Sequence, residues 1–94
     1  MTITGVEKVE DCLDGTSVYT YVLLEAWSAQ TIARLEELGD LDYFPDFPRP
    51  YFRVHGNSGL VMEGVEGETS CRVTLPESGR YQVQWNLERV LRVV

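Results

Sequence analysis

The chain has 94 residues, enough for one hydrophobic core, so residues 1–94 are expected to form a single domain. Apolar residues make up 44% and charged residues 24%, which excludes a disordered or low-complexity chain. The formal charge of −7 argues against nucleic acid as a partner, because phosphate neutralisation requires clustered Lys and Arg.

The opening segment "MTITGVEKVEDC" has neither a basic region nor an apolar run, so no signal peptide is expected. Residues 2–9 are short and β-branched, the pattern of an edge strand. The stretch "EDCLDGT" then supplies turn chemistry around Asp14-Gly15. Residues 17–25 ("SVYTYVLLE") form the strongest strand signal. Val18, Thr20, Val22 and Leu24 share one face, and Tyr19, Tyr21 and Leu23 the other. Both faces are largely apolar or aromatic, which predicts a central strand paired with the first as a hairpin. The run "YVLL" is the longest apolar one and cannot span a bilayer, so a soluble cytoplasmic protein without a membrane partner is expected.

Residues 28–38 predict a helix. Ser28 suits the N-cap, Ile32, Leu35 and Leu38 make an apolar stripe, and Gly39 suits the stop. Trp27, just before the cap, is placed to staple the helix entry. Residues 42–56 ("DYFPDFPRPYFRVHG") hold five aromatics, three prolines and the only histidine. They predict a loop running into a strand at 51–55. "GNSG" (56–59) turns the chain into a strand over 60–65, and "EGE" turns it again. Residues 69–75 place Cys71, Val73 and Leu75 inward, with Arg72 and Thr74 outward. After the turn "PESG", residues 80–85 alternate through Tyr81, Val83 and Trp85, which predicts another strand with Trp85 in the core. Residues 86–94 fit a short helix through Leu87, Val90, Leu91 and Val94, or a strand continued past a bulge. The expected architecture is α+β. An antiparallel sheet of about five to six strands, mostly a meander, carries one or two helices on one face. A ferredoxin-like βαββαβ arrangement is the alternative if residues 77–88 are helical.

Catalytic and metal motifs are missing. Asp11 and Asp14 lack the Asp-x-Asp spacing of phosphatase loops, and "DLDYFPD" (40–46) fails the ligand positions of a calcium loop. Cys12 and Cys71 show no ligand or disulfide-framework spacing, so two reduced thiols are expected. With one histidine and no signature around it, neither a catalytic residue nor a metal or other cofactor is predicted, and the balance leans away from an enzyme.

Residues 42–56 carry the functional expectation. If Phe52 and Val54 face the core, strand alternation turns Tyr51, Arg53 and His55 to the opposite face. One or two helices cannot cover both faces, so Tyr51, Arg53 and His55 are expected to form a contact surface, joined by Tyr19 and Tyr21. Tyrosine and arginine are the residue types that dominate protein contacts, and histidine adds the chemistry of a pH-sensitive one. Tyr43, Phe44 and Phe47, stiffened by Pro45, Pro48 and Pro50, would form its rim, and "PDFP" also matches the minimal Pro-x-x-Pro ligand core. The plainer reading has Phe44 and Phe47 plugging the open end of the core. Residues 1–48 carry ten acids against Lys8 and Arg34, a balance of −8, whereas residues 49–94 carry five acids against six arginines, +1. This asymmetry suits self-association or a basic partner. The expected function is protein–protein contact, as a homodimer covering the bare face or as an accessory subunit. The alternative is a small-molecule binder or enzyme with a pocket around His55.

Overall fold

Six antiparallel strands build one sheet in the order β1-β2-β6-β5-β4-β3, and the computed structural model describes residues 1–94. The strands are β1 (Ile3–Asp11), β2 (Ser17–Leu23), β3 (Gly39–Phe44), β4 (Tyr51–Gly56), β5 (Val61–Val65) and β6 (Ser70–Leu75). The hairpin β1–β2 and the meander β3–β6 join where β2 lies against β6, with Tyr21 opposite Cys71 and Tyr19 opposite Val73. The first three turns read from the sequence close as expected. One expectation fails here: residues 42–44 are not part of a loop but complete edge strand β3, which pairs with β4 from Gly39–Gly56 to Phe44–Tyr51. Leu41 and Tyr43 alternate with Asp40 and Asp42 in burial, so a strand signal lay under the prolines that follow.

Between β2 and β3 the chain forms helix α1 (Ala29–Ala33), then a 3-10 turn over Arg34–Leu38. Ser28 caps α1: its hydroxyl accepts from the Thr31 N–H at 3.2 Å, while the Thr31 hydroxyl accepts from the Ser28 N–H at 2.9 Å. A single α-helix over 28–38 was expected. Ile32, Leu35 and Leu38 recur every third residue, the repeat that a 3-10 helix aligns, and all three are buried. Gly39 then enters β3 at φ +153°, where a Cβ would lie 2.2 Å from the His55 carbonyl oxygen. Only glycine allows β3 to start this close to β4.

The second correction is larger. Residues 80–85 are not a strand. They open helix α2, which runs over Arg80–Val93 and includes the ambiguous last segment. Six residues of period two were too short a window. Extended to 94, the apolar positions Val83, Leu87, Val90, Leu91 and Val94 follow the helical repeat. Leu87, Val90 and Leu91 are fully buried. The helical turn carries Trp85 outward, where it is 60% exposed, not into the core.

Both helices pack on the sheet face presented by Tyr21, Leu23, Phe52, Val54, Met62 and Val73, and together they form one core. Trp27, just before the α1 cap, is anchored in the core. Its indole N–H donates to the Ser70 carbonyl at 3.0 Å, and its ring meets Phe52 edge-on at 4.9 Å. Gly64 leaves room for that Phe52 ring, since a Cβ there would lie 2.8 Å from it. Tyr21, expected on the bare face with Tyr19, is instead completely buried, and Tyr19 packs against the same core. The Tyr21 hydroxyl accepts from Gln84 at 3.0 Å and donates to Glu88 at 2.8 Å, two residues four apart on α2. A buried phenol needs partners, and these bonds tie α2 to β2, which was expected at the centre of the sheet but lies between edge strand β1 and β6. Burial and Glu88 push the Tyr21 hydroxyl well above the usual tyrosine range.

Candidate interaction surface

Alternation along β4 places Phe52 and Val54 at zero exposure in the core, while Arg53 and His55 are exposed and Tyr51 is half-buried on the other face. No helix covers that face. The strand register arranges it in three rows running across the strands. Phe44, Tyr51 and Val65 form one row. Across β3 to β6, Asp42, Arg53, Glu63 and Arg72 form the middle one, continued by Thr20 on β2 and Glu7 on β1, and Asp40, His55, Val61 and Thr74 the third, continued by the buried Val18 and by Glu10.

The first row carries an aromatic step. Phe44 stacks on Phe47 at 5.0 Å and on Tyr51 at 6.0 Å, and Phe47 reaches Tyr51 at 6.5 Å. Phe44 and Phe47 were expected, on the plainer reading, to plug the core. They remain 39% and 50% exposed, because β3 ends with Phe44 on the bare side and the prolines fold Phe47 back over it. Tyr43, one residue earlier, falls on the helix side, and its hydroxyl donates to Glu66. Of the six residues singled out, Tyr51, Arg53, His55, Phe44 and Phe47 therefore share the bare side, and Tyr43 does not.

The middle row alternates in charge. Arg53 donates to Glu63 at 3.1 Å, and the Tyr51 hydroxyl donates to the same carboxylate at 2.6 Å. The Tyr51 bond, then Arg53, hold the Glu63 carboxyl below the usual glutamate range. Partial burial and the same bond raise the Tyr51 hydroxyl. Arg72 is held loosely, 3.5 Å from Glu10 and 4.0 Å from Glu63. Asp42 takes part in none of the chain's six ion pairs.

No family model matches this chain, nor does any curated protein or solved structure. His55 lies in an open depression with Asp40, Asp42 and Glu36. A separate cleft of about 280 Å³ lies between the 3-10 turn, the β4–β5 turn and α2, lined by Glu37, Asn57, Ser58, Gln82 and Asn86. No cluster of three or more His, Cys, Asp or Glu side chains is arranged to hold a metal. Cys71 is buried and Cys12 half-exposed, both as free thiols, and burial pushes the Cys71 thiol up to about 12. No helix is long and apolar enough to cross a membrane.

Sequence reasoning missed Asp42 and Glu63 as members of the surface. Register could have found them: once "GNSG" pairs His55 with Val61, Arg53 must face Glu63. It also missed a second exposed aromatic site, Tyr81 and Trp85 on the outer side of α2, because the wrong period was assigned there.

Proposed function

We propose that this protein is a soluble cytoplasmic domain that acts through protein–protein contact, as a homodimer or an accessory subunit, using the bare face of its sheet. The observation that carries this reading is the side of β4 left without cover: Tyr51, Arg53 and His55 point away from both helices, beside the exposed Phe44–Phe47 stack. Tyrosine and arginine combine contact area with a polar handle. Prolines at 45, 48 and 50 lower the entropy lost when the aromatic rim is ordered by a partner. The acidic balance favours solubility of the free chain.

Size-exclusion chromatography with light scattering tests the reading. Association is expected, and Tyr51→Ala with Arg53→Ala should weaken it at least tenfold, since the two remove anchor residues of the hot-spot type. A strict monomer whose melting temperature rises in a mixture of metabolites would point instead to the small-molecule reading.

A further inference from the structure

The middle row runs Asp42, Arg53, Glu63, Arg72 on the neighbouring strands β3, β4, β5 and β6. Its charges read minus, plus, minus, plus. Reversed, the same row reads plus, minus, plus, minus. This four-strand stretch, which leaves Thr20 and Glu7 on β2 and β1 outside the overlap, is therefore complementary to its own reversal at every position. A two-fold axis parallel to the strands, passing over the gap between β4 and β5, performs that reversal on a facing sheet.

We infer that the bare face pairs with a second copy of itself about this axis, setting Arg53 against Glu63 and Asp42 against Arg72 of the opposite copy. The inference rests on the bare face being a contact surface, and it names the occupant and the register.

The other two rows agree with the same operation. Tyr51 comes to face Val65, a large ring on a half-buried apolar side chain, and His55 faces Val61. In the third row Asp40 faces Thr74, a carboxylate opposite a hydroxyl donor. No like charges meet. Bonds within the chain leave the ends of the middle row unfinished, since Asp42 has no cationic partner and Arg72 is held only at 3.5 and 4.0 Å. The reversed copy brings each of these ends to the other. Packed sheets lie about 10 Å apart, a gap that the arms of Arg and Glu from opposite layers span together. Desolvating such pairs contributes little to affinity, so the charges select register while the aromatic step and the valines supply the attraction. An isologous contact of this kind needs only one self-complementary patch.

Charge reversal provides the test. Arg53→Glu replaces both central pairs with carboxylates facing carboxylates, and Glu63→Arg replaces them with guanidinium groups facing guanidinium groups. Each variant alone should dimerise at least a hundredfold more weakly than the wild type, because facing like charges cost several kcal/mol. Mixed in equal amounts, the two rows are again complementary at all four positions, so native mass spectrometry should show a heterodimer and little of either homodimer. Asp42→Arg and Arg72→Asp make a second such pair at the ends of this stretch, where the first breaks no ion pair within the chain and the second loses only the contacts at 3.5 and 4.0 Å. Recovery of the heterodimer with either pair supports the inference. A mixture of folded variants that stays monomeric overturns the register. A wild type that is monomeric at every accessible concentration overturns the second copy as occupant, yet leaves the bare face free for another protein. Homodimers that survive all four reversals and dissociate with Trp85→Ser would move the contact to α2, overturning this inference and the reading beneath it together.

Discussion

The two faces of the sheet are made by the same strands, and along β4 alternate residues have opposite fates. Beneath the helices, Tyr21, Phe52, Val54, Met62 and Val73 reach zero exposure, and every buried side-chain polar atom has a partner. One residue away, Arg53, His55 and Phe44 remain in water. The covered side is a finished solution, in which even the Tyr21 hydroxyl is satisfied from α2. The bare side is finished only within itself: a network through Glu63 fixes its polar centre, while the aromatic step is left exposed. A small chain with one 14-residue helix and a short α1 running into a 3-10 turn covers only one face of the sheet.

Neighbouring substitutions on β4 break this comparison most directly. Phe52→Ala should cost about 3–5 kcal/mol of stability by opening a cavity between Trp27 and Gly64, read as a lower denaturation midpoint in urea. Tyr51→Ala, one residue away, should cost much less in folding while acting on association. Equal losses at the two positions would mean that the faces are not energetically distinct. Tyr21→Phe should cost about 1 kcal/mol, because it removes one buried hydroxyl with two partners on α2, and amide hydrogen exchange should rise first in that helix. The smallest effect belongs to Glu63→Gln. The native Glu63 carboxyl titrates below its unfolded value, so its contribution is present above the ordinary glutamate range and is lost as pH falls through the lowered native value. The stability gap between wild type and Glu63→Gln should therefore be full at neutral pH and close in acid. A gap that widens in acid would contradict the bonds drawn to Glu63.

Much of the fold was legible. The hairpin turn at Asp14-Gly15, the Ser28 cap, the inward run Cys71, Val73, Leu75 and the outward turn of Arg53 and His55 all follow from local chemistry and a period of two. What failed, failed for stated reasons. Prolines at 45, 48 and 50 disguised β3 as a loop. Tyr81, Val83 and Trp85 imitate a strand over six residues, and only the pattern through Leu91 reveals a helix. Tyr19 and Tyr21 were assigned to the wrong face of β2, since a strand apolar on both sides does not announce which one meets the helices.

By itself, the amino-acid order determined the strands' alternation, the turns between them and the fact that helical cover is scarce. Those properties depend on neighbours a few residues apart, where sterics and side-chain periodicity act directly. Only the tertiary structure decided that Phe44, Phe47 and Tyr51 stack, and that Asp42, Arg53, Glu63 and Arg72 form one alternating row. Those groupings come from four strands whose relative register is set by core packing, a constraint shared by the whole sheet and carried by no single segment.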